Sequence, residues 1–294
     1  TRDNIITIDR SITYCIIENV VLAGANRIAI NGSGYNHNSI IRNCDINYCG
    51  FTGLYAFNSA GLRITDCHID HCNDNAISIL DDSEGTYIGN NELSNMGLYP
   101  GMGQSLYESG KTIYIRGNNN AIIEYNKIRN SGHSGIHYSG NNIIIRYNYI
   151  DVFGVIKEDC CGVQYSGGAT YSNMKVLNNI ILNGLGSPGG KPAGSYHWVA
   201  GVGLDYYTTG GYEISNNTIY NVKNLAGISL SGSQNVVIKN NTVFDCSGGV
   251  RIQELGGMGS PTRNVTMTGN IIFSKNVTYT PMLLYSTTND FNQF

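Results

Sequence analysis

In a chain of 294 residues with only six histidines, two of them, His133 and His137, stand four apart in the segment NSGHSGIHYSGNN, among glycine, serine and asparagine. Acids follow at Glu158 and Asp159 in VIKEDCCG and at Asp205 in GVGLDYY. Side chains of these types move protons. A glycosidase needs two carboxylates, about 5 to 5.5 Å apart for retention of configuration or about 6.5 to 9.5 Å for inversion. Asp159 with Glu158, Asp205 or Glu108 could supply the pair, with His133 or His137 tuning or replacing one member. A lyase or epimerase needs a base beside the C5 of an acidic sugar and a cation for its carboxylate, roles open to His137, Tyr114, Lys111 and Arg116. Gln164, Tyr165, His197 and Trp198, the only tryptophan, complete the set. A hexose ring stacks on an aromatic face, and its hydroxyls take hydrogen bonds from Asp, Asn, Arg and His.

These residues act together only if the fold gathers them, and the element that must do so is a repeat. The segments IIRNCDI, ITDCHI, IGNNEL, IEYNKI, IRYNYI, VLNNII, ISNNTI, IKNNTV and MTGNII share an apolar-x-x-Asn-x-apolar template. They place Cys44, Cys67, Asn91, Asn126, Asn148, Asn179, Asn217, Asn241 and Asn270 at one repeat position, and IIENVV adds Asn19 in front. Spacings from 22 residues (Asn126 to Asn148) to 38 (Asn179 to Asn217) mean one structural turn with loops added to some copies. A second short strand follows each segment, as in GLYAF, GIHYS, GVQYS and GISLS, with side chains alternating in and out. No stretch has the pattern of an amphipathic helix. Several short strands per repeat predict an all-β fold, a single-stranded right-handed parallel β-helix forming a solenoid of about ten coils stacked about 4.8 Å apart. The recurring Asn is expected to form an internal ladder, each amide satisfying its neighbours. One domain is expected over 1–294. Because TRDNIITIDR lacks an initiator Met and starts in strand-like sequence, the chain is expected to be a fragment of a longer secreted one.

Extra length falls at 97–111, 153–161 and 184–200, each between an Asn-bearing segment and the strand after it, and less clearly at 254–261. Stacking puts the first three on one side of the rod, where these loop insertions wall a groove. Its floor is the shortest coil, the one holding His133. Ile136 points in and so turns His137 out, with Tyr114 and Arg116 one coil earlier, Gln164 one coil later and Asp205 beyond. The loops bring Glu108, Lys111, Lys157, Glu158, Asp159, His197 and Trp198 to the same patch. With 13% of residues charged overall, this concentration has the character of a sugar-binding cleft.

The formal net charge of −3 leaves no basic face for nucleic acid or anionic membrane, and no apolar run approaches the roughly 18 residues of a membrane span. The expected partner is a polysaccharide or oligosaccharide, with no nucleic acid, no membrane span, and cell-surface anchoring open through segments outside the chain. Of eight cysteines, Cys44 and Cys67 take ladder positions, Cys49, Cys72 and Cys246 follow such positions by five residues, and Cys160 and Cys161 are adjacent at a strand entrance. A reduced set and four bridges both fit. No C-x-x-C pair points to zinc. Calcium has one candidate, LDDSEG at 80–85, whose acids fit a solvated turn equally well. No cofactor and no metal ligand is therefore expected, with calcium as the alternative.

As a whole the chain resembles the right-handed parallel β-helix proteins of the pectate-lyase-like superfamily, which implies extracellular polysaccharide substrates. The stretch NSGHSGIHYSGNNIIIRYNYIDVFGVIKEDCCGVQYSG resembles the core of bacterial β-helix glycoside hydrolases, in which an H-S-[AG]-I turn is followed by a D-D-x-G loop entering the next strand. His133, Ser134 and Ile136 match the turn, and Asp159 and Gly162 the loop; Cys160 stands in place of the second aspartate. The resemblance implies an extracellular or cell-surface, bacterial-type protein whose most favoured activity is glycoside hydrolysis. The alternatives are a non-catalytic adhesin or binding β-helix and, third, a polysaccharide lyase or epimerase.

Overall fold

The computed structural model describes residues 3–34, 36–103, 109–167, 171–187, 197–205, 209–254, 261–276, 278 and 280–286. Three parallel sheets of 11, 10 and 10 strands run the length of the chain, and each strand pairs with its equivalents one coil before and one coil after. A single coil passes through Ile122–Glu124 in the second sheet, Lys127–Ser131 in the third and Ile136–Tyr138 in the first, then returns to the second at Ile144–Arg146. This is a parallel β-helix.

The turn from second to third sheet needs only two residues because the first is left-handed: Asn43, Asp66, Asn90, Asn178, Asn216 and Asn240 all have positive φ, a conformation Asn and Asp tolerate better than most residues. The second residue builds the ladder. Asn91 Nδ2 donates to Asn126 Oδ1 at 2.9 Å, Asn126 to Asn148 at 2.9 Å, Asn148 to Asn179 at 3.0 Å, and the chain continues through Asn217 and Asn241 to Asn270. Each of these amides from Asn91 to Asn241 also donates to a main-chain carbonyl of the preceding coil, as Asn126 does to Ile88 at 3.1 Å. At the N-terminal end the thiols of Cys44 and Cys67 take over, donating to the carbonyls of Arg42 and Thr65, each at 3.2 Å. Asn19 does not belong to this row. It precedes the ladder slot, as Asn43 does, and accepts from Asn43 Nδ2 at 2.5 Å; Val20 fills the slot itself.

Inside the coils, Ile64, Ile88, Ile123 and Ile145 stack along one sheet, and Ile69, Leu93, Ile128 and Ile150 along another, all fully buried. Gly135, Gly162, Gly201 and Gly227 share one register position at the first sheet on successive coils. A Cβ on any of them would overlap Ile150, Ile181, Ile219 or Val243 of the third sheet, so the high glycine content is partly a packing requirement. All eight cysteines are free thiols. Among the described residues no helix is long and apolar enough to cross a membrane.

Candidate active site

The first sheet sets the site's register. Its outward row runs Tyr114, His137, Gln164, Gly203, Ser229, Arg251 on successive coils. A parallel row places Asp205 opposite Ser166, with Ser231 and Gln253 on the coils that follow. Beside these rows lies a cavity of about 250 Å³, bordered in part by the residues just before Cys160–Ser166 and Val199–Asp205. Glu158, Asp159 and Trp198 wall it on the loop side, Asp205 and Ser231 on the sheet side, and Cys161, Gly203 and Ser229 form its floor. Gly203 makes room for the Cys161 thiol on the preceding coil: a Cβ there would run into its sulfur.

One network ties the Asp205 carboxylate to the main chain of Asp159. Gln164 Nε2 donates to the Asp159 carbonyl oxygen at 3.2 Å and to Asp205 Oδ2 at 3.3 Å. Ser134 Oγ orients that amide by donating to Gln164 Oε1 at 2.5 Å, while accepting from the Cys161 N–H at 3.2 Å. The His133 ring also hydrogen-bonds the Asp159 main chain. Asp159 is left-handed, with φ 55°, so its carbonyl turns back toward this network. Asp205 is half-buried and lines the cavity. Burial, reinforced by the negative charge of Asp159 and opposed by the Gln164 hydrogen bond, raises its pKa to about 7. The Cys161 thiol is pushed well above its usual range, first by burial and then by Asp205, and so stays protonated.

The histidine turn is not the open floor that its short length suggested. His133 and His137 are 0% and 4% exposed. The neighbouring loops fold over them: His133 N–H donates to Gly110 O at 2.9 Å, Gly154 N–H to His133 O at 2.8 Å, and Lys157 Nζ reaches across to Ser109 O at 3.2 Å. Burial depresses the pKa of both rings well below the ordinary value, and the charge of Lys111 adds to it. They are neutral near pH 7. Four further expected contact residues stand elsewhere. Lys111 is fully buried, with its ammonium 4.5 Å from the centre of the Tyr114 ring. Tyr114 is itself covered and meets His137 edge-on, 5.3 Å between centroids. Tyr165 points into the core, where it packs against Tyr138 and Tyr212, because alternation along its strand turns Gln164 outward instead. Arg116 lies on the surface and pairs with Asp81 at 2.9 Å, which ties up the first acid of LDDSEG; Glu84 accepts from Asn120 at 2.5 Å. His197 is half-buried beside the cavity without lining it. Glu108 lies outside the described residues. Among the described residues no three His, Cys, Asp or Glu side chains converge as metal ligands would.

The structure thus brings together Asp159, Glu158, Asp205, Trp198 and, behind them, Gln164. Sequence reasoning missed Cys161, Gly203, Ser229, Ser231 and Gln253. Aligning GVQYS, VGLDY, ISLSG and GVRIQ in strand register would have found the last four; the thiol's outward turn depends on local backbone geometry at the strand entrance.

A sequence model described as "Right handed beta helix region" matches residues 4–181 and 170–293. The chain belongs to the right-handed β-helix family. None of the curated proteins matches it in sequence. Among solved structures, this β-helix is similar to the Streptococcus pneumoniae surface protein and adhesin PfbA, with 14% identity over 87% of this chain and 69% of that one and a TM-score of 0.61. It is similar to the catalytic domain of a GH87 α-1,3-glucanase in complex with nigerose, with 12% identity over 95% of this chain and 55% of that one and a TM-score of 0.58. An alginate lyase from Paenibacillus sp. str. FPU-7 aligns at 14% identity over 92% of this chain and 90% of that one, with a TM-score of 0.56. At these identities the likeness is one of fold.

Proposed function

We propose that this β-helix binds one sugar unit of an extracellular polysaccharide in the cavity between Asp159, Asp205 and Trp198 and hydrolyses the glycosidic bond there. The observation that carries this reading is the meeting, in one cavity of about 250 Å³, of two carboxylates from neighbouring coils and a partly exposed indole. Asp205, with its pKa raised to about 7, has the property a general acid needs: it holds a proton near neutral pH and can give it to the leaving glycosidic oxygen. Asp159 is the second carboxylate, acting on water or on the anomeric carbon. Trp198 supplies the stacking face, and Ser229, Ser231 and Gln253 offer hydroxyl and amide partners to the sugar. The likeness in fold to a glucanase domain crystallised with nigerose supports the substrate class. A polymer substrate of this kind fits a protein that works outside the cell or at its surface.

Non-catalytic binding is the second reading, favoured by Cys160: the residue standing where the resembling hydrolases carry an aspartate is buried in the core. Lyase or epimerase chemistry loses support, because His137 and Lys111 are covered and Arg116 is engaged by Asp81. Purified protein incubated with plant, algal and bacterial polysaccharides decides among these. New reducing ends without absorbance from unsaturated products match hydrolysis. Reducing ends with that absorbance contradict it in favour of a lyase, and binding without either product contradicts it in favour of a binding module.

A further inference from the structure

The left-handed residue before each ladder slot is Asn19, Asn43, Asp66, Asn90, Asn178, Asn216, Asn240 or Gly269 in eight coils, the residue types that this backbone accepts at least cost. Two successive coils break the rule with Tyr125 at φ 57° and Tyr147 at φ 56°. A bulky ring at positive φ is disfavoured, and these rings gain little burial in return, being 54% and 44% exposed. They stack on each other, with centroids 5.0 Å apart and planes within 9°. Tyr147 covers one face of Tyr125. The other face looks toward Asn90, whose amide turns away to bond Asp66, and so stays open. A surface cleft of about 430 Å³ lies there, floored by Lys127, Arg129 and Tyr149. Its lining holds two cations and no acid. Lys127 is engaged by Glu92 at 2.6 Å, while Arg129 is exposed and rests over the Tyr149 ring at 5.7 Å.

We propose that Tyr125 and Tyr147, with Arg129, form a second carbohydrate-binding site for an anionic oligosaccharide, on the turn between the second and third sheets and apart from the Asp205 cavity. A pyranose ring lies on the open face of Tyr125, and its carboxylate or sulfate meets Arg129. An exposed ring pair kept at a backbone position that disfavours it, next to an exposed arginine in a cleft lined by no acid, is what such a ligand requires and what coil stacking alone does not.

The test uses the whole chain carrying Trp198→Ala, which disables the cavity, so this site and the hydrolase reading fail independently. Titration calorimetry with tetrasaccharides of galacturonate, of sulfated galactose and of glucose should show binding of at least one anionic probe, weakening with added salt, and at least tenfold weaker binding of the glucose probe. Adding Tyr125→Asn and Tyr147→Asn should weaken the anionic probe at least tenfold while the melting temperature holds or rises, since Asn suits both positions. Arg129→Gln should weaken it and flatten the salt dependence. Absence of binding by both anionic probes, equal binding of the neutral one, or undiminished binding by the tyrosine variant overturns the proposal. So does a fall in that variant's melting temperature, which would assign the rings to stability.

Discussion

The Gln164 side-chain amide donates to Asp205 Oδ2 at 3.3 Å, and the same nitrogen lies 3.2 Å from the Asp159 carbonyl oxygen. One residue therefore couples the acid with the raised pKa to the loop carrying its partner. The hydrogen bonds reach back through Ser134 and His133 to the buried histidine turn.

Asp205 gives folding stability a pH dependence of definite sign. Its folded carboxyl keeps the proton until about pH 7, whereas in the unfolded chain it titrates near 3.8. Between those values the folded state binds more protons, so Asp205's contribution falls as pH rises from about 4 to about 7 and is level above, by up to about 4 kcal/mol. Asp205→Asn should melt with the wild type at pH 4 and above it at pH 8. Denaturant unfolding at both values checks this; parallel curves for the two proteins would contradict it.

Lys157 bonds Ser109 beside the histidine turn, and its charge, after burial and the charge of Lys111, holds the His133 pKa down. In Lys157→Ala the ring should titrate closer to the ordinary histidine value. NMR of the imidazole resonances between pH 4 and 8 follows it, and an unchanged His133 in the variant would show that Lys157 has no part in shielding it.

Gly203→Ala should destabilise by about 1 to 3 kcal/mol, because the new methyl group meets the Cys161 sulfur. In a Cys161→Ala background most of that cost should disappear, since the nearest remaining atom, the Cys161 Cβ, is 3.6 Å from the new one. A double-mutant cycle measures the coupling, and additive effects would place the clash elsewhere.

Asn126→Leu removes the amide that accepts from the N–H of Asn91 at 3.1 Å and from its Nδ2 at 2.9 Å, and that donates to Ile88 O at 3.1 Å. With several buried partners left unsatisfied at about 1 to 3 kcal/mol each, thermal unfolding should move down by many degrees. A wild-type melting temperature would show that the ladder contributes nothing.

The solenoid and its ladder were legible because they depend on a repeat: the same Asn slot, filled coil after coil, fixes strand order, register and the side on which loops emerge. Asn19 was misassigned because the template tolerates a shift of one residue at the first coil, where Val20 rather than Asn holds the slot. The site was legible only in part. Alternation along GIHYS and GVQYS correctly turned His137 and Gln164 outward, but outward in a β-helix means outside the coil, and a loop can still cover it. Gly110 and Lys157 do this to His133, and such loop-on-loop closure leaves no periodic trace. Tyr165 alternates inward from Gln164 and so belonged to the core by the same rule. Asp205 and Trp198 meet Asp159 because the strand Val199–Asp205, with Trp198 just before it, lies one coil after Cys160–Ser166, which the repeat spacing does encode.

The most direct test is turnover of the polysaccharide identified in the substrate screen, measured against pH for the wild type and for Asp205→Asn. With Asp205 as general acid, wild-type turnover should fall as pH rises through about 7, the point at which it loses its proton. Asp205→Asn should lose two orders of magnitude or more while still binding the polymer. Full turnover by Asp205→Asn, or a wild-type profile flat through pH 7, would contradict the assignment of this cavity as the place of hydrolysis.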